Sequence, residues 1–377
     1  MPYGLVVVAY IKLKLAMQGR LSGDNALFTV PVYILSQAKL LLVYLRLLLF
    51  PFNQNIDYHA APASGLDAVV LFAFALIALF VLLLFKYRKN RPAIAFFGGW
   101  FLMVHAPESS FFPIDDLLVE YRLYLSSAGL FALAAIGLAG FSDRRARYVV
   151  LVAVALVSCT LTFTRNALWT DGFALWADAA NKSPGNARSL FNAGDALAGK
   201  GKFDAAIPWL VKAAAMPNSP YLMNLVYYRL GNCYRMTNDL NNAEKYALKV
   251  KALRNSDMRD DVYENLAEAY FVSGRYSDSA RISKLQTQLS GSPQAHYNLA
   301  VSLMMLGRYP EARDQMATVL GLSLDNYEVR LNLSRIYQKL GDRANAVINA
   351  ERAASTAADS AQAAEADGLL MELGGGR

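Results

Sequence analysis

HYNLAVSLMMLGRYPEARDQMATV, residues 296–319, decides the fold of the second half of this 377-residue chain. Ala300 and Ala312 occupy two small-residue positions, and Gly307 lies between them. Small side chains let two helices pack closely, and glycine readily adopts the backbone conformation that ends a helix. The stretch therefore predicts two short helices joined by a tight turn.

Four other stretches repeat this pattern, and they begin at Leu190, Tyr227, Tyr263 and Arg330. The first small-residue position recurs at intervals of 33 to 37 residues, at Gly194, Gly231, Ala267, Ala300 and Ser334. The second small-residue position recurs in step at Ala206, Ala243, Ala280, Ala312 and Ala346. Glycines at the expected turns are Gly201, Gly274, Gly307 and Gly341. Regular recurrence of one helix-turn-helix unit predicts a stacked helical array.

The period and the placement of small, aromatic and glycine residues resemble tetratricopeptide repeats, which are helix-turn-helix units of about 34 residues. The resemblance implies an α-solenoid of about five units over residues 187–353, followed by a terminal helix. The preceding segment ALWADAANKSPGN, residues 174–186, predicts a leading helix or cap. The alanine-rich tail from Ala353 predicts a last helix that frays at its glycine-rich end.

An asparagine recurs near the small-residue position of each first helix, at Asn192, Asn232, Asn265, Asn298 and Asn332. Asparagine pairs with both the donor and the acceptor of a peptide backbone. A ladder of these side chains in the concave groove of a solenoid would hold an extended polypeptide without reading its sequence. Alternatively, some of them form buried hydrogen bonds between helices or are simply solvated.

The first half of the chain differs in composition from the second. The whole chain is 55% apolar and carries a formal net charge of +7. Residues 1–165 hold 14 Lys and Arg against 8 Asp and Glu, whereas residues 166–377 hold 23 against 22. The basic excess therefore belongs to the apolar half, which is typical of membrane proteins. No nucleic-acid partner is predicted, and we expect the domain boundary between residues 165 and 166.

The apolar runs predict an all-α, polytopic transmembrane bundle over residues 1–165. The expected spans are 3–17, 31–50, 66–85, 92–107, 124–141 and 148–164. The first run lacks the features of a cleaved signal peptide and predicts a retained anchor. Lys39 and Arg46 share a helix face in the second run, so that helix either spans the membrane or lies in its interface with both cations reaching lipid phosphates.

Two basic clusters between apolar runs set the expected topology. They consist of Lys86, Arg88, Lys89, Arg91 and of Arg144, Arg145, Arg147. Basic turns favour the cytoplasm, which places loops 51–65 and 108–122, together with the repeats, on the other side. We therefore expect an integral membrane protein with extracytoplasmic repeats, in contact with membrane lipids.

A polar stretch between membrane helices is the first candidate for a functional site. It runs from His105 to Ser127 and includes His105, Glu108, Asp115, Asp116, Glu120 and Arg122. Ionisable groups at the edge of a membrane are costly unless solvated or paired, so they indicate a function by default. The alternative is a hydrated external loop.

Three stretches support a wider resemblance: YLRLLLFPFNQNIDY at 44–58, EYRLYLSS at 120–127 and RNALWTDGFALWADAANKSPGNARSLFNAGD from Arg165. Together they resemble bacterial multispanning proteins with C-terminal tetratricopeptide repeats. The resemblance implies that the membrane is a bacterial inner membrane and that the repeats lie in the periplasm. Those proteins are similar to the animal transmembrane and tetratricopeptide-repeat-containing O-mannosyltransferases of the C-type glycosyltransferase superfamily. Where the family pattern reads EHRLYLPS, this chain has Tyr121 and Ser126. The superfamily's acidic motif in the first external loop does not precede residue 57, which suggests a truncated, split or degenerate relative.

The resemblance implies transfer of a sugar from a polyprenyl phosphate to a hydroxyl, a reaction that needs a carboxylate base and cations for the departing phosphate. Arg122 is the candidate phosphate contact, unless it pairs with Glu120 or Asp116. Tyr124 and Glu120 fit the family pattern, and the predicted donor-binding set is Arg122, Glu120, Tyr124, Lys39 and Arg46. Asp115 and Asp116 are weaker candidates as base or metal ligands. No catalytic residue is assigned.

No metal site and no cofactor is predicted, apart from a polyprenyl-phosphate sugar donor as substrate. Cys159 lies in an apolar run and Cys233 in a repeat, so no disulfide framework or zinc site is indicated. His59, His105 and His296 have no second histidine at ligand spacing. Two functions remain: a glycosyltransferase-like protein whose repeats present a polypeptide acceptor, or a non-catalytic membrane scaffold for envelope or polysaccharide assembly.

Overall fold

The computed structural model describes residues 29–106, 109, 116–251 and 258–374. Within these ranges the protein is all-α, with apolar helices first and a helical repeat region after them, so the predicted fold class is confirmed. The chain divides into two compact units between Ser189 and Leu190. The predicted anchor at 3–17 lies outside the described residues.

The first unit begins with five apolar helices and a short amphipathic one. These are α1 (Val30–Leu49), α2 (Ala68–Tyr87), α3 (Pro92–His105), α4 (Leu123–Ala139), α5 (Arg144–Trp169) and α6 (Gly172–Lys182). A 3-10 turn, Glu120–Arg122, leads into α4. Counting that turn with α4, four of the described helices are long and apolar enough to cross a membrane, whereas α3 is shorter. Long apolar helices of this kind indicate membrane insertion.

Helix α1 is amphipathic in its packing although its sequence is mostly apolar. Tyr33, Gln37, Leu40, Tyr44 and Leu47 are buried along one stripe at helical spacing. The stripe packs against a cluster whose other members are Leu117, Leu118 and Leu123. The segment before α4 is therefore folded back onto α1, which fixes where the polar residues around position 120 lie.

The repeats consist of five helix pairs and a terminal helix. The pairs are α7 (Ala187–Gly199) with α8 (Phe203–Ala214), α9 (Pro220–Met236) with α10 (Leu240–Ala247), α11 (Arg259–Val272) with α12 (Tyr276–Leu289), α13 (Pro293–Met305) with α14 (Tyr309–Gly321), and α15 (Tyr327–Lys339) with α16 (Arg343–Thr356). The terminal helix is α17 (Ser360–Glu372). The small residues that define the repeat are buried in the core of each pair.

The turn glycines adopt the conformation for which the pattern predicted them. Gly201, Gly274, Gly307 and Gly341 have φ between +71° and +77°. In the second pair Asn238, with φ +62°, takes the same place. Asparagine tolerates the left-handed region better than most residues, so this pair keeps the turn without a glycine.

The first unit ends later than the sequence boundary at residue 165. Helix α6 and the connection to α7 belong to it because the loop after α1 binds them. Lys182 Nζ donates to the Gln54 carbonyl at 2.8 Å, and Asn55 Nδ2 donates to Ser183 Oγ at 2.9 Å. These bonds tie the leading helix to the loop.

Candidate functional site

Two loops and one helix connection form a polar cluster in the first unit. The loops are residues 50–66 after α1 and residues 116–119 before α4, and the connection is residues 183–186 between α6 and α7. Glu108 and Asp115, which the sequence placed in this site, lie outside the described residues. The clustering depends on α1, because its buried stripe holds the second loop in place.

Glu120 binds the first loop through two strong hydrogen bonds. The backbone N–H of Asn55 donates to Glu120 Oε1 at 2.7 Å, and the Tyr58 hydroxyl donates to the same oxygen at 2.7 Å. Burial, and then the bond to this carboxylate, raise the pKa of Tyr58 above its ordinary value. Glu120 therefore fixes the loop as an acceptor through its Oε1.

Arg122 is buried, with 7% of its surface exposed. Its Nη1 donates to the Leu117 carbonyl at 3.1 Å and its Nη2 to the Asp116 carbonyl at 2.7 Å. The Tyr44 hydroxyl closes the same segment from α1, donating to the Val119 carbonyl at 3.1 Å. The guanidinium therefore holds the second loop by its backbone. The carboxylates proposed as its partners also bind elsewhere, to the first loop and to α7.

The other three predicted donor contacts lie apart from one another. Tyr124 is 86% exposed and lies on a different face from Arg122. Lys39 Nζ lies 3.8 Å from the carboxylate of Asp67, the residue that caps α2. Arg46 is exposed, and its Nη1 donates to the Phe52 carbonyl at 3.4 Å. The structure thus brings Glu120, Arg122 and Arg46 to the two loops, whereas Lys39 and Tyr124 face other surroundings.

His105 packs into the bundle beside this cluster. Its ring stacks on Phe101 at 5.7 Å between centroids and meets Tyr44 edge-on at 5.3 Å. Its Nε2 lies 3.1 Å from the Ser109 hydroxyl. Across the described parts of the chain, no group of three or more His, Cys, Asp or Glu side chains is placed to hold a metal ion.

A further contact of the cluster joins Asp57 and Arg188, which the sequence did not single out. Asp57 is 3% exposed and accepts from Arg188 Nε at 2.9 Å, from Arg188 Nη2, and from Ser189 Oγ at 3.1 Å. Arg188 Nη2 also donates to Asp116 Oδ1 at 2.7 Å. Hydrogen bonds to Asp57 are the main reason that the pKa of Arg188 is raised. One guanidinium therefore joins both loops to the start of α7.

Local structure positions Arg188. Asn186 Oδ1 accepts from the Arg188 backbone N–H at 3.0 Å and so caps the first turn of α7. The Asn186 side chain also donates to the Asp57 carbonyl at 3.3 Å. No repeat period or local spacing marks these residues. The feature of the sequence that points to them is that NQNIDY and GNARSLF both lie within the stretches that carry the family resemblance.

The asparagine ladder lies on the first helices of the repeats, as its spacing implied. All five side chains are half-buried. Asn265 Nδ2 donates to the Asp261 carbonyl of its own helix at 2.6 Å, and Asn332 Nδ2 donates to the Tyr297 hydroxyl at 3.1 Å. Asn298 lines a cavity of about 220 Å³ between α11 and α13. The other residues lining this cavity are Ala267, Glu268, Phe271, Ser279, Tyr297, Val301 and Ser302.

Comparison with known families finds tetratricopeptide repeats in the C-terminal part. Residues 169–222, 226–257, 293–318 and 327–360 match profiles described as tetratricopeptide repeat. Two solved repeat proteins superimpose on the chain. One, described as YrrB, a TPR protein with an unusual peptide-binding site, has 17% identity and a TM-score of 0.41 over 51% of this chain and 97% of its own. The other, a thermophilic TPR protein of Thermus thermophilus, has 18% identity and a TM-score of 0.31 over 49% and 100%.

Curated relatives of this chain are O-mannosyl-transferases. Protein O-mannosyl-transferase TMTC3 of Homo sapiens is 24% identical over 250 residues, which are 61% of this chain and 27% of the human protein. Tmtc3 of Drosophila melanogaster is 29% identical over 122 residues, 30% of this chain and 13% of its own length. The chain thus spans about a quarter of the human relative. These comparisons confirm the predicted repeats and a distant relationship to TMTC O-mannosyl-transferases, and repeats of this type indicate peptide or protein binding.

Proposed function

We propose that this protein is a membrane-anchored receptor that holds an extended polypeptide in the groove of its repeats. The observation that carries the proposal is the 220 Å³ cavity between α11 and α13. Phe271, Tyr297 and Val301 supply apolar walls, and Asn298 supplies a polar group at the edge. This combination accommodates an apolar side chain while an amide binds the adjacent peptide backbone.

The asparagines keep the capacity that such binding needs. Asn298 accepts one hydrogen bond from Gln294 at 2.9 Å, and Asn332 donates one to Tyr297 at 3.1 Å. An asparagine amide offers two donor hydrogens and an acceptor oxygen. Both side chains therefore retain hydrogen-bonding capacity for a polypeptide lying along the first helices.

The repeats work on the extracytoplasmic side in this proposal, which is the periplasm for a bacterial inner membrane. Lys86, Arg88 and Lys89 follow the apolar part of α2, and Arg144 and Arg145 begin α5. Basic residues at these two ends favour the cytoplasm. Helix α5 then carries the chain to the opposite side before α6 begins.

A binding measurement on the full chain in detergent tests the receptor. A library of fluorescent peptides is screened for binding. The peptide that binds most tightly is then titrated against the unmodified chain and against Val301→Arg and Asn298→Ala. We expect Val301→Arg to weaken binding at least about tenfold, since a charge then fills an apolar cavity. Val272→Arg is the matched control, because Val272 is 80% exposed and does not line the cavity. An equal loss of affinity in Val301→Arg and Val272→Arg would contradict the proposal, and so would a screen in which no peptide binds.

A second candidate is an O-mannosyl-transferase-like role, which the 24% identity to human TMTC3 supports. In it the bond between the anomeric carbon of the sugar and the phosphate oxygen of the donor breaks, and that carbon bonds to a hydroxyl oxygen of a polypeptide. The hydroxyl proton passes to a carboxylate base, and polyprenyl phosphate is released. Arg46 contacts the donor phosphate through its exposed guanidinium, which suits phosphate geometry. Arg122 positions the loop beside it through the Leu117 and Asp116 carbonyls. Glu120 keeps the loop in place, and Lys39 and Tyr124 are further donor contacts. The base remains unassigned.

Transfer of a radiolabelled sugar to the bound peptide tests this second role. We expect Arg122→Lys to lower transfer at least about tenfold, because lysine lacks the paired donors of a guanidinium. Peptide affinity measured in parallel separates a transfer defect from a binding defect. If the peptide binds but no polyprenyl-phosphate donor transfers a sugar to it, the transferase role is contradicted and the receptor role stands.

A further inference from the structure

The first unit contains a lateral groove of about 660 Å³ between α1, α4 and α5. Most of its wall is formed by the apolar side chains of Leu47, Leu48, Phe131, Val154, Val157 and Leu161. No residue in the apolar stretch of α5 is buried within the described part of the chain. The groove therefore opens sideways, towards whatever surrounds α5 in the membrane.

The groove has the length of one membrane leaflet. On α5 it extends from Ala153 to Arg165. At 1.5 Å rise per residue this separation is about 18 Å, close to the roughly 15 Å depth of half a hydrocarbon core. A single lipid tail lying along α5 matches that length.

One end of the groove is polar and carries an excess of positive charge. Gln54, Arg165 and Asn166 line this end. Arg165 Nη1 lies 3.2 Å from Asp178 Oδ2, and Lys182 Nζ lies 2.7 Å from the same oxygen. Two cations share one carboxylate, so the group retains one net positive charge. Because the Arg165 side chain is only 14% exposed, an anion there is attracted more strongly than at an open surface.

We propose that this groove binds one anionic phospholipid of the surrounding membrane, with its phosphate at Arg165 and one acyl chain along α5. The acyl chain packs against the apolar wall of the groove, and the net positive charge at the polar end complements the phosphate. A basic end and an apolar wall along one helix match an amphiphile. The bound lipid connects α5 to α1.

Native mass spectrometry of the full chain in detergent tests the lipid. Equal amounts of phosphatidylglycerol and phosphatidylcholine are added, and retained lipid is counted per chain. We expect one retained phosphatidylglycerol, preferred at least about fivefold, the size of one partly buried charge contact. Arg165→Gln should abolish the preference. Arg145→Gln, a charge removed from the other end of the same helix, should leave it unchanged.

A second variant probes the groove while the ion pairs remain. Val157→Trp places a large side chain in the groove, so it should lower retention of phosphatidylglycerol at least about fivefold. Leu156→Trp is the matched control, since Leu156 is 64% exposed and does not line the groove. The control should retain lipid as the unmodified chain does.

Three results would overturn the proposal. The first is equal retention of the two phospholipids, and the second is stronger retention of an added polyprenyl phosphate than of phosphatidylglycerol. The third is a dimer that dissociates in Val157→Trp but not in Leu156→Trp, which would assign the groove to a second copy. None of these outcomes depends on peptide binding by the repeats, so the two proposals fail separately.

Discussion

Arg188, in the first turn of α7, donates both Nε and Nη2 to the carboxylate of Asp57, 131 residues earlier in the chain. Asp57 is almost completely buried, and Arg188 is about half exposed. Since Arg188 also reaches Asp116, a single side chain holds two membrane-proximal loops against the first turn of α7. The contact is therefore a mechanical link between the loops and that turn.

Removing that link should destabilise the first unit. Asp57→Asn removes the negative charge of a buried carboxylate, and we expect a loss of about 1 to 3 kcal/mol. This is less than the roughly 3 to 5 kcal/mol for breaking a fully buried pair, because Arg188 is about half exposed and solvent screens its charge. Denaturant unfolding of the full chain in detergent measures it, with protease cleavage within residues 53–60 as a local readout. Arg188→Lys keeps the charge but loses the paired geometry, so its stability should fall between those of the parent and Asp57→Asn.

The double variant Asp57→Asn with Arg188→Gln separates the pair from its surroundings. Because each single change leaves the other group without its partner, the double change should cost less than the sum of the singles. Strict additivity would mean that the two side chains act independently, contrary to the geometry.

Two glycines at the same repeat position should respond oppositely to alanine. At Gly194 an added Cβ would lie 2.7 Å from Leu210 Cγ, so Leu210 must move; at Gly231 the nearest atom is 3.5 Å away. We expect Gly194→Ala to cost about 1 to 3 kcal/mol through overpacking. Gly231→Ala should instead gain about 0.5 to 1 kcal/mol, since alanine favours a helix. Thermal unfolding of the two variants compares them, and a shared sign would contradict the packing.

The repeat positions could be predicted because their contacts are local. Gly194 meets Leu210 within one helix pair, and Ser334 Oγ donates to the Ala346 carbonyl within another at 2.7 Å. A fixed period therefore appears in the sequence wherever the same close packing recurs. The second turn shows the limit of the pattern, because Asn238 performs there what glycine does elsewhere.

The polar cluster could be predicted only in part, because its contacts are long-range. Nothing near Asp57 in the sequence indicates a partner at Arg188, and the pair exists only once α1, α4 and α6 are packed. Tyr124 illustrates a second reason. Residues two positions apart on a helix face different directions, so Arg122 is buried while Tyr124 is 86% exposed.

The repeats should lose stability in acid through Glu244. Burial opposes its ionisation, but hydrogen bonds from Arg281 and Tyr270 lower its pKa below the ordinary value. A carboxyl with a lowered folded pKa adds stability above its unfolded pKa of about 4.3, and this contribution disappears as the pH falls through the folded pKa. Unfolding midpoints between pH 7 and pH 3 should therefore decline below about pH 4.5.

The variant Glu244→Gln isolates that contribution. It should be less stable than the parent at pH 7. The difference should start to shrink below the unfolded pKa of about 4.3 and should disappear as the pH falls through the lowered pKa of the folded carboxyl. Glu351→Gln is the control, since Glu351 is exposed. A pH-independent difference for Glu244→Gln would show that the carboxyl acts by shape rather than by charge.

The side of the membrane that carries the repeats is tested by thiol labelling in intact cells. In a background with Cys159→Ser and Cys233→Ala, single cysteines are placed at Lys200, in the first turn between repeat helices, and at Asn90, in the basic turn after α2. Basic turns favour the cytoplasm, so a membrane-impermeant maleimide should modify Lys200→Cys without lysis and Asn90→Cys only after it. A permeant maleimide should modify both. The reverse pattern would place the repeats in the cytoplasm, and it would contradict the proposal that they bind a polypeptide on the extracytoplasmic side.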